Sequence, residues 1–336
     1  MTIYDIAKIA GVSPSSVSRV INNKPGINEE NRKRIQEILK QYNYTPNEAA
    51  RGLVMQSTKI IGILMEDIRM SHHTESTYVV EQELMKHGYT CIALSTGHDV
   101  ERKVEFIKLL EQRRVEGVIL MGSMFCIPQV EEAIRSHLSD VPVVIVNGYL
   151  NLPNVYGILI DERGGVESCV ELLAGKGRRR LVFVVDTPSP ANERKKDGFL
   201  EGMKALGAEE KDIPVYYGNP SDFDPELMLE RGKELTRTIL AERPETEGII
   251  YSVDLLAIGG IMGLEEMGRK VPEDVAVIGI DNTLFGKISR PSLSTLDNKL
   301  VEVSQNASGI LLRALEKERV THKIMLFTDI IERQSS

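Results

Sequence analysis

The chain has 336 residues, 42% hydrophobic and 27% charged, with a net charge of −8. That length allows more than one domain and sizeable cores. No apolar run approaches the roughly 20 residues a membrane span needs, and no basic stretch followed by an apolar segment marks a secretory signal.

The charge is unevenly spread. Residues 1–58 carry eight basic residues (Lys8, Arg19, Lys24, Arg32, Lys33, Arg34, Lys40, Arg51) against five acidic ones (Asp5, Glu29, Glu30, Glu37, Glu48). The head is therefore +3 and the remainder −11. A basic head on an acidic body suits a head that meets phosphates and a body that stays off them. Cys91, Cys126 and Cys169 lie far apart in apolar stretches. An odd number without CxxC spacing points to reduced, buried thiols in a cytoplasmic protein.

Thr2-Ile3-Tyr4-Asp5 has the spacing of a capping box, so a helix starts there. Ile3, Ile6 and Ile9/Ala10 recur at helical spacing, and Gly11 permits the left-handed turn that ends the helix. Ser13 caps a second helix with Pro14 at its first position, where a missing N–H costs nothing. Val17, Val20 and Ile21 should face inward, leaving Ser15, Ser16, Ser18, Arg19 and Asn22 outside. A third helix is expected from about Asn28 to Tyr42, with Ile35, Ile38, Leu39 and Tyr42 buried. This is the pattern of a helix-turn-helix, whose second helix enters a DNA major groove. A plain three-helix bundle with a polar surface would read much the same. Arg19 offers a fork that matches guanine or phosphate. Tyr4, Ser13, Ser15 and Ser16 offer hydroxyls to phosphates or base edges.

Tyr44-Thr45-Pro46-Asn47 stops the third helix. Asn47 can cap a short helix through Val54, too short to hold alone and weakened by Gly52. Leu53 is an apolar residue suited to wedging between base steps from the minor groove.

From Lys59 the pattern alternates apolar strands with amphipathic helices. Strands read at Ile60–Met65, Thr90–Leu94, Gly117–Met121, Val143–Val146, Val155–Ile160, Leu181–Val185, Gly248–Tyr251 and Val275–Ile280. Helices read at Thr74–His87, Val100–Gln112, Glu162–Gly175, Glu193–Leu206, Glu226–Glu242 and Leu255–Met267. Val/Ile runs separated by helices imply parallel sheets covered on both faces. Their number implies two doubly wound lobes, whose ligands bind beyond the carboxyl ends of the strands. Polar residues at those ends are Asp67, His72, His73, Ser123, Asn147, Asp161, Lys195, Asp254 and Asp281. Helix capping competes as an explanation for Asp254 and Asp281.

TIYDIAKIAGVSPSSVSRVINN followed by NYTPNEAARGL resembles the head and hinge of the lactose-repressor (LacI/GalR) family of bacterial transcription regulators. IIGILMEDI, GRRRLVFVVDTPSP, YSVDLLAIGGIMGLEEMG, VPEDVAVIGIDN and RPSLSTLDNKLVEVSQNASGILL resemble that family's periplasmic-binding-protein-like body. The resemblance implies an all-α helix-turn-helix head at 1–46, a hinge at 47–58 and an α/β body of two doubly wound parallel-sheet lobes at 59–336. It divides the body into about 59–158 with 290–317, and 159–289 with 318–336. It implies a homodimer on a near-palindromic double-stranded operator. The DNA contacts would be Thr2, Tyr4, Ser13, Pro14, Ser15, Ser16, Ser18, Arg19, Asn22, Asn47, Arg51 and Leu53. It places Asp254 and Asp281 at effector-pocket positions. The chain ends at IIERQSS without a leucine-rich tail, which argues against a tail-made tetramer.

His72-His73 stand where the family often has an aromatic pair, and Lys195 where many members have arginine. Imidazoles and an ammonium lean the effector toward a sugar acid or sugar phosphate among sugar-type ligands. No metal or cofactor site is indicated, since HExxH and CxxC are absent. Gly175-Lys176-Gly177 is not a phosphate loop, and no GxSxG elbow or strand-borne GxGxxG occurs, so an enzyme is not expected. Two alternatives remain: a carbon-catabolite regulator with a phosphoprotein corepressor, and a solute-binding protein, which the head disfavours.

Overall fold

The fold was established from a computed structural model that describes residues 1–44, 57–219 and 224–336. The chain divides into two compact units, Met1–Thr58 and Lys59–Ser336.

Among the described residues of the first unit the capping chemistry sets three helices. Thr2 and Asp5 form both halves of a capping box at the start of α1 (Ile3–Ala10). Gly11, at φ 65°, turns the chain. Ser13 caps α2 (Pro14–Ile21), and Asn28 caps α3 (Glu29–Gln41). Ile6, Ala7, Ala10, Val17, Val20, Ile35 and Ile38 form the buried core, with Ile3, Val12, Ile21, Ile27, Leu39 and Tyr44 packed against it. Tyr42, expected inside, is 44% exposed. It sits at the end of α3, where Asn43 takes a positive φ. That reversal brings Tyr44 to the core instead. Asn47, Arg51 and Leu53, with the expected hinge helix, lie outside the described residues.

The second unit contains two six-stranded sheets. The first is built from β1 (Ile60–Met65), β2 (Thr90–Ser95), β3 (Gly117–Met121), β4 (Val143–Val146), β5 (Val155–Ile160) and β11 (Lys323–Leu326), in the order β11-β5-β4-β3-β1-β2. The second holds β6 (Leu181–Val185), β7 (Val215–Tyr217), β8 (Gly248–Tyr251), β9 (Ala276–Ile280), β10 (Ser294–Asp297) and β12 (Asp329–Ile331), in the order β12-β10-β9-β8-β6-β7. Every pairing is parallel except β10 with β12. Each sheet has an apolar cluster on both faces, which is why its inner strands read as unbroken Val/Ile runs.

Helices α4 (Ser71–Lys86), α5 (Val100–Gln112), α6 (Pro128–His137) and α12 (Leu300–Leu315) belong with the first sheet. Helices α7 (Glu162–Gly175), α8 (Pro190–Ala205), α9 (Pro225–Glu242), α10 (Asp254–Glu266) and the short α11 (Leu284–Ile288) belong with the second. The chain crosses between sheets after β5, β10 and β11. This corrects the expected lobe segments. Residues 294–297 pair with β9 in the second sheet, and 323–326 pair with β5 in the first. β11 is a short, partly exposed edge strand, so its partner could not be read from pattern.

Helices α7 and α8 approach at Gly198, where an added Cβ would stand 2.1 Å from the Arg163 carbonyl oxygen. Gly198→Ala must push the helices apart. A loss of about 1–3 kcal/mol is expected, read as a lowered urea midpoint.

Candidate functional site

In the head, α2 presents one polar face. Ser13 Oγ accepts from the Ser16 amide at 3.2 Å and lies 2.8 Å from Ser15 Oγ and 3.0 Å from Ser16 Oγ. The hydroxyl cluster is thus held in place at the helix start, where N–H groups and the dipole favour a phosphate. Arg19 and Ser15 are exposed, Tyr4 is 71% exposed, and Pro14 occupies the first turn of α2. Asn22 Nδ2 donates to the Ser18 carbonyl at 2.8 Å, which ties both residues to the end of α2. Thr2 is engaged in its capping box with Asp5. Arg32, not singled out as a site residue, donates to Asn23 Oδ1 at 3.2 Å and to the Lys24 carbonyl at 2.8 Å. It braces the loop that follows α2.

In the body, a cavity of about 150 Å³ lies between the sheets at the carboxyl ends of β1, β3, β4, β6, β8 and β9. It gathers residues from both lobes. Asp67, His72, His73, Ser123, Asn147, Lys195 and Asp281 all line it. His73 Nδ1 lies 2.9 Å from the Asp67 carbonyl. Burial pushes His73 down to about 3, and burial then the Lys195 charge lower His72, so both rings are neutral near pH 7. Ser123 Oγ accepts from the Ala191 amide at 3.1 Å, joining the first lobe to the start of α8. Asn147 Nδ2 donates to Glu162 at 3.0 Å while its Oδ1 accepts from Arg194 at 2.6 Å. Lys195 Nζ donates to the Ser252 carbonyl at 3.0 Å and lies 3.4 Å from Glu162. Burial opposes the Lys195 ammonium, yet the Glu162, Asp281 and Asp186 carboxylates hold its pKa above the ordinary lysine value. Asp281 is buried, which pushes its carboxyl up to about 7. Asn298 Nδ2 donates to it at 2.8 Å. Arg69 bridges Asp67 of the first lobe and Asp224 at the start of α9, each at 2.6 Å.

A family model for bacterial regulatory proteins of the lacI family matches residues 2–47, and one for a periplasmic binding protein-like domain matches 170–336. An HTH-type transcriptional regulator from Lachnoclostridium phytofermentans is 30% identical over 340 residues, covering 100% of this chain and 99% of its own length. The chain belongs to the lacI family of bacterial regulatory proteins. The ribose operon repressor of Halalkalibacterium halodurans is 26% identical, with 100% and 97% covered. A lac repressor dimer solved on operator with the anti-inducer ONPF shares the fold at a TM-score of 0.88 and 21% identity, with 100% and 98% covered. The family consists of transcription regulators. Among the described residues no helix is long and apolar enough to cross a membrane, and no group of three or more His, Cys, Asp or Glu could hold a metal ion.

Two expected pocket residues of this lacI-family chain lie off the cavity. Asp161 caps α7, accepting from the Gly164 amide at 3.1 Å. Asp254 is buried and accepts from the Thr283 amide at 2.7 Å, Thr283 Oγ1 at 2.9 Å and Thr295 Oγ1 at 2.6 Å. It fastens β10 and the loop after β9 to the start of α10. Sequence reasoning missed Glu66, Glu162, Asp186, Asn192 and Asn298, all on the wall. Asp186 follows β6 as Asp281 follows β9, so the same signal, an acid ending an apolar strand, was available for it.

Burial and the Asp281 charge push Asp254 up to about 7, against the Thr295 and Thr283 hydrogen bonds. The folded state therefore keeps a proton that the unfolded chain releases near pH 4. The associated stability is full below that pH and is lost as pH rises through 7. Asp254→Asn should remove this slope. Between pH 5.5 and 8.5 the variant should gain on the order of 2 kcal/mol relative to the parent, measured by urea unfolding. The histidines, with depressed pKa values, slope oppositely below pH 6.5 in both proteins and cancel in the comparison.

Proposed function

We propose that this lacI-family chain is a cytoplasmic, homodimeric repressor of carbohydrate-use genes that binds a near-palindromic operator and responds to a small sugar or sugar derivative, without catalysing a reaction. The observation that carries the reading is one chain that holds both parts. A capped reading helix exposes Ser15 and Arg19, and a two-sheet body encloses a polar cavity lined from both lobes. A ribose operon repressor among the relatives and a lac repressor solved on operator support it.

In this reading Ser13, Pro14, Ser15, Ser16, Ser18, Arg19 and Asn22 face the major groove, with Thr2 and Tyr4 beside the backbone. Asn47, Arg51 and Leu53 act at the operator centre. The effector works through its difference in affinity between two lobe arrangements. Ser123–Ala191, Asn147–Arg194 and Arg69–Asp224 are among the cross-lobe contacts it would change. The test is selection of duplexes from a random library by the full chain, followed by binding across salt concentrations with and without sugars. Enrichment of a near-palindrome, with affinity altered by a sugar, is the expected result. Binding that depends only on salt and never on sequence would sink the reading.

A further inference from the structure

The polar groups of the cavity do not balance. Glu66, Asp67, Glu162, Asp186 and Asp281 put five carboxylates on its wall. Lys103 and His98 meet Glu66, each at 2.9 Å. Arg69 meets Asp67 but divides itself with Asp224, and Arg194 meets Glu162 at 2.9 Å. Lys195, 3.4 Å from Glu162, also acts on Asp281 and Asp186, and its own hydrogen bond goes to the Ser252 carbonyl. The hydrogen bonds made to the Asp186 carboxylate come from the neutral Asn192, Ser252 and Thr187. His72 stands 3.5 Å from Asp281, beyond a good hydrogen bond. Among the described residues five carboxyl groups thus face four fixed cations, Lys103, Arg69, Arg194 and Lys195, one of them shared outside the wall, and Asp281, pushed up to about 7, is the one left short.

The second observation is an acceptor. Asn298 is 3% exposed and lines the cavity. Its Nδ2 donates to Asp281 Oδ1 at 2.8 Å, so its amide oxygen points away from that carboxyl. Its Oδ1 is buried with no hydrogen-bond partner in the protein. At this point of the cavity wall an amide oxygen without a donor thus lies beside a carboxyl group whose one hydrogen bond comes from a neutral amide. Vicinal hydroxyls could donate to both oxygens, but they bring no charge. A phosphate or carboxylate would add like charge and no donors. An ammonium brings three N–H donors and one positive charge.

We propose that the effector is a polyol or sugar bearing a protonated amine, whose ammonium sits against Asp281 and Asn298. This rests on the reading of the cavity as the effector site. Lys195 does not select an anion, since its ammonium is held by Ser252 and the surrounding carboxylates.

The test is calorimetry and thermal shift on the full chain at pH 7.5 with matched triplets: glucosamine, glucose and glucuronate; galactosamine, galactose and galacturonate; glucamine, sorbitol and gluconate. At least one amine should bind ten-fold or more tightly than its hydroxyl and carboxylate counterparts. Asp281→Asn should erase that preference while the unliganded variant melts no lower than the parent. Asn298→Ala should weaken the amine several-fold and its hydroxyl counterpart less. A hydroxyl or carboxylate member binding more tightly than its amine, equal binding within every triplet, or no binding by any amine overturns the proposal. If the chain still selects a DNA sequence, only the amine proposal has failed. If it selects none, the regulator reading fails whichever ligand binds.

Discussion

Lys195→Met is expected to lower the unfolding free energy of the body by about 3–5 kcal/mol at pH 7, the usual cost of stripping one partner from a buried ion cluster. Lys195 is 5% exposed and Glu162 is 1% exposed, so water cannot replace the lost ammonium. Arg194 still meets Glu162, but Asp186 and Asp281 lose the cation that acts on both. Methionine fills the stem's volume, so the loss reports charge rather than a cavity. The pH dependence separates the two. Asp281, already pushed up to about 7, takes up its proton still more readily without Lys195, so the deficit should shrink as pH falls toward 5. Urea unfolding at pH 5, 7 and 8 measures this. A deficit below about 1 kcal/mol, or one independent of pH, would mean that Arg194 alone balances the cluster.

Lys195 also shows how far sequence reaches. The sequence offers it as a polar residue at the strand ends, where many family members have arginine, and the structure puts it on the cavity wall. Its proposed preference for an anion came from its charge alone, and charge alone does not say what already surrounds it. Glu162 reads locally as an ordinary acid at a helix start, yet it is buried between Asn147, Arg194 and Lys195. Asp254 and Asp281 have the same local signature, an acid after an apolar strand. They separate only because β10 supplies Thr295 to one of them and the crossover supplies Asn298 to the other. Both partners come from segments whose sheet membership depends on long-range pairing. The strands that pattern revealed are the inner ones other than β10, and one edge strand, β2. Those it missed, β7, β10, β11 and β12, are short, and most are partly exposed. Periodicity measures burial, and a sheet edge is only half buried.

The same dependence on burial makes the head the weaker unit, and this leads to the second large effect. Its core is seven buried side chains, two of them alanine, in helices of eight, eight and thirteen residues. Such helices do not persist alone, and so small a core leaves little stability in reserve. Ile35 is fully buried on α3 within that core, which also holds Ile6 and Val17. Ile35→Ala should cost about 2–5 kcal/mol. A loss of that size is comparable with the whole stability of a small domain, so the head should be largely unfolded at 25 °C and operator affinity should fall by more than about a hundred-fold. The body is a separate unit with its own four apolar clusters, and its melting transition and ligand shift should be unchanged. DNA binding by anisotropy and ligand binding by calorimetry on the same preparation would show the split. Surviving DNA binding would mean that contact with the duplex supplies the missing stability, and its affinity should then fall with temperature more steeply than in the parent.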